Sequence, residues 1–368
     1  MVGKTSAEKA AVEKAAEQDA TAQDTTPQDA TEAGGAARGI EEYDVVVVGG
    51  GAAGLSGALA LARARRSVLV VDAGSPRNAP AGHVHNYLGL EGISPLELVA
   101  AGRRDAEAYG ARFRTGEVTA ARRDGDAAFA LEIDHEVTVR ARRVLIASGV
   151  VDRRPAIAGL PERWGRDVLH CPYCHGWEVR DRPLGIVATH ITAAVHQALL
   201  WRQWTDDVVL FLHTAESPDA ASAEQLEARG IRVVPGEVVA IEAEGDRLTG
   251  VALASGEVVA REAVAVFSRV EVRDGLLEPL GVDTVEVRQG EVTMGTSIAV
   301  DPMGATTVPG VYAAGNVANP AAQVIASAAA GLMAGAAINA DLVGEDTRRA
   351  VLERAGSLAA AGRAMGTA

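Results

Sequence analysis

The sequence predicts an α/β protein built around two βαβ units. Residues 43–74, "YDVVVVGGGAAGLSGALALARARRSVLVVDAG", run from apolar strand through glycine turn and small-residue helix to a second apolar strand. Residues 182–214, "RPLGIVATHITAAVHQALLWRQWTDDVVLFLHT", repeat that order. At 368 residues the chain has room for about two domains, each large enough to bury a core.

In the first unit, Val45 to Val48 form the unbroken apolar run of a parallel strand covered on both faces. Gly49, Gly51 and Gly54 then spell G-x-G-x-x-G, a helix follows to about Arg65, and the next strand ends at Asp72, 18 residues beyond Gly54. Strand, glycines, helix, strand and acidic residue in that order mark a Rossmann-like dinucleotide site. Gly49 allows the tight turn, Gly51 lets backbone approach a pyrophosphate, and Gly54 lets helix and strand sit close. The free N–H groups of the helix start face the phosphates, and Asp72 is suited to accept hydrogen bonds from a ribose. A glycine-rich turn in an unrelated α/β protein is the plainer alternative.

Further along, "RRVLIASGV" (142–150) reads as another buried strand running into a glycine turn. Residues 231–270 alternate in short strands, as a meander would. "VPGVYAAGNVANP" (308–320) is a strand and turn leading into a small-residue helix, and a helical, Ala-rich tail occupies 346–368. The run 321–343 has the length of a membrane span, but it is mostly Ala and Gly with Gln323, Ser327 and Asn339 inside. A helix packed tightly against a sheet or cofactor is the expected reading. Residues 1–40 hold hardly a large apolar side chain and are expected to be disordered; they contain no apolar h-region of a secretory signal. A soluble, cytoplasmic protein is expected. The formal net charge of −14 argues against nucleic-acid or anionic-membrane partners, which need clustered positive charge.

Both cysteines of the chain, Cys171 and Cys174, lie in "HCPYCHGWEVRD" (170–181). C-x-x-C-H is the attachment motif of c-type haem, but that attachment normally follows export. Zinc needs about four ligands, and Cys171, Cys174, His170 and His175 are too close in sequence to converge easily. A structural disulfide closing so small a loop would contribute little stability. A redox-active pair is the remaining option.

Fingerprint, CxxC and "GVYAAGN" together resemble the low-molecular-weight thioredoxin reductase family of flavoproteins, over residues 43–345. The resemblance implies two Rossmann-like domains. An FAD domain (41–153 and 272–345) is split by an inserted nucleotide-binding domain (154–271) that carries the CxxC. It implies a homodimer that binds FAD. Gly49, Gly51, Ala52, Ala53 and Gly54 would line the pyrophosphate, and Asp72 would bind the ribose. Asn86 would lie beside the flavin and Val118 would touch adenine through its backbone. Gly315 and Asn316 would hold the ribityl chain, and Gln323 and Val324 would begin the flavin-facing helix. Asn316 departs from the family's usual Asp.

Two further departures bear on function. Where the family's inserted domain opens with G-x-G-x-x-A, this chain has "IVATHITAA", with Ala188 and His190 in place of the glycines and only Ala193 retained. A β-carbon at the first position disfavours the tight turn, and an imidazole at the second fills the space of a pyrophosphate. Thr214, Ala215 and Glu216 stand where arginines would grip the 2′-phosphate of NADPH. The other departure is His175, where the reductases carry Asp. This variant is similar to the dithiol oxidases of microbial disulfide natural products, the gliotoxin and holomycin type. Those enzymes close a small-molecule dithiol and pass the electrons through FAD to O2.

On that resemblance Cys171 exchanges with substrate, Cys174 faces the flavin, and His175 takes protons from the thiols. Three other readings stay open. The chain could be a reductase of a thioredoxin-like protein fed by ferredoxin, one fed by NADPH, or a flavin-binding redox sensor that does not turn over. His83 and His85 are expected near the flavin as bases, substrate contacts or simple loop residues. His190 and His196 are expected only to pack or face solvent, and the four tryptophans to pack in the core.

Overall fold

The computed structural model describes residues 40–125 and 128–365. The tail expected to be disordered, residues 1–40, lies outside them apart from Ile40. In chain order the first elements are β1 (Glu41–Val48), α1 (Ala52–Arg63), β2 (Val68–Asp72), α2 (Pro95–Ala108), β3 (Arg112–Thr115), β4 (Val118–Arg123), β5 (Phe129–Ile133) and β6 (Val137–Ile146). β7 (Val150–Arg153) leads out to β8 (Val168–Leu169), β9 (Leu184–Val187), α3 (Ile191–Trp201), β10 (Val208–Phe211) and α4 (Ala220–Ala228). Next come β11 (Arg232–Val234), β12 (Val238–Glu244), β13 (Arg247–Leu253), β14 (Val258–Ala260) and β15 (Ala263–Val266). β16 (Arg269–Val272) returns, followed by β17 (Thr284–Gln289), β18 (Val292–Ile298), β19 (Val311–Ala313) and α5 (Val324–Met365).

The first sheet runs β3-β2-β1-β6-β5-β4, with β19 also paired to β6. β1 pairs in parallel with both β2 and β6, Val46 facing Leu69 on one side and Val144 on the other. Its valines alternate between two cores. Val45 and Val47 pack with α1 and α5, whereas Val46 and Val48 pack with the β4–β6 face. That double coverage is why the run carries no polar residue, and each buried valine contributes about 2 kcal/mol of transfer free energy.

The second parallel sheet, β11-β10-β9-β15-β8, follows the same logic. Val208 and Leu210 of β10 face one core, and Val209 and Phe211 face the other. The expected meander resolves into the antiparallel set β12-β13-β14, while β11 and β15 join the parallel sheet. The chain passes between the two sheets twice, along β7 and β16. These pair antiparallel, with Val270 opposite Asp152, inside a four-stranded sheet β17-β18-β16-β7.

By length and composition α5 could cross a membrane. Here its small-residue face packs on α1 so closely that a β-carbon on Gly331 would stand 1.9 Å from the Ala53 carbonyl oxygen. Position 346, the expected start of the tail, falls within this unbroken helix. Arg142 of β6 pairs with Glu345 at 2.7 Å and Asp346 at 2.6 Å, tying that stretch of helix to the first sheet.

Candidate active site

The glycine turn after β1 behaves as a nucleotide cradle should. Gly49 adopts φ +104°, donates to the Val71 carbonyl at 2.8 Å, and leaves no room for a side chain against the Ala147 oxygen at 2.4 Å. A β-carbon on Gly54 would lie 1.9 Å from the Gly49 oxygen, so the helix cannot approach the strand with any larger residue. Gly51 differs in kind. It is the N-cap of α1, offers no side-chain cap, and has nothing within 4 Å of where a β-carbon would be. Open space before uncapped helix amides fits a pyrophosphate. Asp72 closes β2 and accepts from the Gly50 and Gly74 amides at 2.8 and 3.1 Å, which fixes its carboxylate beside the turn.

From this turn a cavity of about 670 Å³ extends to the disulfide. Ala52 and Ala53 line one end, with Gly315, Asn316, Gln323 and Val324 on the adjoining wall. Gly315, at φ +81°, approaches α1 so closely that a β-carbon would sit 2.8 Å from that of Ala53. The Asn316 amide nitrogen donates to the carbonyls of Asn319, Pro320 and Ala322 at 3.2, 3.3 and 2.8 Å, so it braces its own turn. Gly49, Gly51, Gly54, Asp72, Asn86 and Val118 are not among the lining residues. Val118 is the buried first residue of β4. Asn86, in the left-handed region at φ +59°, donates its side-chain amide to the Tyr173 carbonyl at 2.8 Å and so holds the redox helix.

Cys171, Cys174 and His175 line the far end of the same cavity. A short helix, Pro172–His175, starts immediately after Cys171, and its first turn brings the amides of Cys174 and His175 to the Cys171 carbonyl, each at 3.2 Å. That turn sets the two Cα atoms 5.3 Å apart, and the sulfurs are joined as a disulfide. Both ring nitrogens of His175 are buried without a hydrogen-bond partner among the described residues. Burial pushes its pKa below the ordinary histidine value, against an opposing pull from Glu178, so the ring is neutral near pH 7. A buried imidazole with both nitrogens free is set to receive a proton or a ligand atom.

A second polar cluster was not foreseen from the sequence. Arg77 clamps Asp152 through two bonds of 2.7 and 2.6 Å, and Ser268 donates to the same carboxylate at 2.9 Å. Burial alone would raise the Asp152 pKa, but the Arg77 pairing outweighs it and holds the group below the usual carboxylate value. His170 stacks on Trp164 with ring centroids 5.7 Å apart. Burial, reinforced by the Arg77 charge, pushes the His170 pKa down to about 4. All five residues line the cavity. Of the other tryptophans, Trp201 is fully buried in the core, Trp204 meets the Tyr173 ring edge-on at 5.6 Å, and Trp177 is exposed. His83 and His85 line the cavity from the loop between β2 and α2.

The second strand–turn–helix keeps its backbone and loses its cradle. Ala188 is fully buried and donates to the Phe211 carbonyl at 2.9 Å, as Gly49 does to Val71. It is not among the residues at positive φ, so the chain turns here without the left-handed step that a glycine supplies. His190 is the N-cap of α3, where Gly51 stands in the first unit, and Nδ1 of its ring is buried without a partner. Glu216 is exposed beyond β10.

Residues 43–335 match the pyridine nucleotide-disulphide oxidoreductase family. The chain is 32% identical over 325 residues to thioredoxin reductase tcpT of Claviceps purpurea (strain 20.1), covering 82% of this chain and 96% of that one. It is 29% identical over 319 residues to thioredoxin reductase sirT of Leptosphaeria maculans, covering 83% and 95%. The crystal structure of HlmI superposes with a TM-score of 0.80 at 46% identity, covering 86% of this chain and 98% of that one. The chain therefore belongs to the pyridine nucleotide-disulphide oxidoreductase family, as a thioredoxin reductase-like flavoprotein that exchanges thiols and disulfides.

Proposed function

We propose that the protein is an FAD-dependent dithiol oxidase, converting a small-molecule dithiol and O2 into the cyclic disulfide and H2O2. The observation that carries this reading is the contrast between the two turns. The Gly51 cradle is open for a dinucleotide, whereas buried Ala188 and N-cap His190 replace the first two glycines in the second unit. An enzyme that takes electrons from a dithiol needs no second nucleotide. Bound FAD would lie along the cavity from Gly51 to Cys174, where it would accept the electron pair of the cysteines and deliver it to oxygen.

The protein's own residues supply the exchange chemistry. One substrate thiolate attacks the Cys171 sulfur, and the Cys171–Cys174 bond breaks with Cys174 leaving as the thiolate. The second substrate thiolate attacks the substrate sulfur of that mixed disulfide, forming the ring disulfide and releasing Cys171. Two electrons have then moved from substrate to the cysteine pair, and the two substrate protons end in H2O2. Each attack needs a thiolate, and neutral His175 is the base that accepts the thiol proton. Asp72, Asn86 and Val118 complete the proposed FAD contacts beyond the cavity wall. Exposed Leu332, Met333 and Val343 on α5 support a homodimer.

Relatives named thioredoxin reductase favour a second reading, the reduction of a thioredoxin-like protein with electrons from ferredoxin or NADPH. An oxygen electrode separates the two. The oxidase consumes O2 continuously with dithiothreitol alone and forms one H2O2 per O2. A reductase leaves O2 nearly untouched under those conditions, and a sensor shows a single stoichiometric uptake.

A further inference from the structure

His85 has a carboxylate at each ring nitrogen. Nδ1 stands 2.6 Å from Glu91 and Nε2 stands 3.3 Å from Glu178. An imidazole between two carboxylates can take a proton at one nitrogen and release one from the other, so this ring can relay a proton from either side. The bridge is also rigidly placed. The Asn86 backbone amide donates to the second oxygen of Glu91 at 2.8 Å, while the Asn86 side chain grips Tyr173 in the redox helix. His85 lines the same cavity as Cys171, Cys174 and His175, and Glu178 follows His175 by three residues.

Exposure is greater at both carboxylate ends of the bridge than at the disulfide. The His175 nitrogens are buried, and the side chains of His85, Glu178 and Glu91 are 20%, 37% and 64% exposed. The other ionisable groups near this line are His83, whose ring centroid is 5.9 Å from that of His85, and His170 and Arg77 elsewhere on the cavity wall. Neither carboxylate of the bridge has an arginine or lysine partner among the described residues.

We propose that Glu178, His85 and Glu91 form the outlet by which protons taken from reacting thiols leave buried His175 for solvent. The step is a proton transfer only. A thiol proton moves to a His175 nitrogen, crosses by way of water in the shared cavity to His85, and is released at the carboxylate of Glu178 or Glu91, returning His175 to its neutral form. Glu178 and His85 are positioning residues that act through His175. The inference rests on the dithiol-oxidase reading and deepens it.

Anaerobic stopped-flow bleaching of the flavin by dithiothreitol, from pH 6 to 9.5, tests it on the holoprotein and on H85Q, E178Q and E91Q. We expect H85Q and E178Q to slow bleaching about tenfold at pH 6.5, a fraction of the usual general-base contribution, with E91Q affected less. The deficit should close above about pH 9, where the thiolate forms unaided. A deficit equal at every pH, or no deficit in either H85Q or E178Q, overturns the outlet and leaves the proposed function standing. E178Q is nearly isosteric on a part-exposed side chain, which guards against a folding artefact in H85Q. Wild-type protein that is not bleached at any pH overturns the function itself, and the outlet with it.

Discussion

The two strand–turn–helix units start their helices with the same backbone bonds and end with opposite chemistry. Leu55 donates to Gly51 at 2.9 Å, and Ala194 donates to His190 at 3.0 Å. What distinguishes them is the N-cap residue, a glycine with nothing within 4 Å of where its β-carbon would be in the first unit and a histidine in the second. The comparison teaches that the βαβ fold is held by apolar strands and main-chain bonds. Nucleotide binding depends separately on a few β-carbons, and on the proposed function one unit has lost it while the other keeps it.

Substitutions in the first turn should have the largest effects. Gly54→Val drives a side chain into the Gly49 carbonyl and should leave little folded protein in the soluble fraction. Gly51→Val meets no protein atom and adopts φ −77° without strain, so the apoprotein should melt as wild type does. It should bind flavin about a hundredfold more weakly, roughly 2.8 kcal/mol, by fluorescence titration. Loss of stability together with flavin in Gly51→Val would erase the distinction between cradle and scaffold.

The segment around the disulfide should be more sensitive to acid than the first turn, because it carries the buried neutral histidines. The unfolded chain protonates His170 below about pH 6.5. The folded chain does so only near pH 4. Between those values the unfolded state binds more protons, so stability falls as pH drops and is unaffected above the window. The difference amounts to at most about 3 kcal/mol. His175 is shifted in the same direction and adds to the slope. Denaturant unfolding at pH 7 and pH 4.5 measures it, and His170→Asn should flatten the dependence.

The smallest effect belongs to the second turn. His190→Gly should change stability by no more than about 1 kcal/mol, because no side-chain bond is lost there. It should not create NADPH reduction, since Ala188 and Glu216 remain. Rapid flavin reduction by NADPH in this single variant would show that His190 alone had closed the site.

How much of this was legible depends on how far apart the cooperating residues lie. The first turn could be read almost atom by atom, because Gly49, Gly51, Gly54 and Asp72 act within one local motif whose spacing reflects its geometry. The redox pair was equally local. The Arg77–Asp152–Ser268 cluster joins residues 75 and 116 positions apart, and no local pattern announces such a pair. Asn86 was expected to lie beside the flavin, and the bond from its amide nitrogen to Tyr173 is one that only the folded loop reveals. The unbroken α5 had the same cause. Its ties from Glu345 and Asp346 to Arg142 lie about two hundred residues back in the chain. Composition marked a change near 345, and long-range ion pairs override it.

The central claim is that electrons enter through the cysteines and not through a second nucleotide. Anaerobic mixing of the holoprotein with a small dithiol, and separately with excess NADPH, tests it directly through the visible absorbance of the flavin. The account predicts that the dithiol bleaches the flavin and NADPH leaves it oxidised. Rapid bleaching by NADPH would contradict it, and would mean that Ala188 and His190 do not close the second cradle.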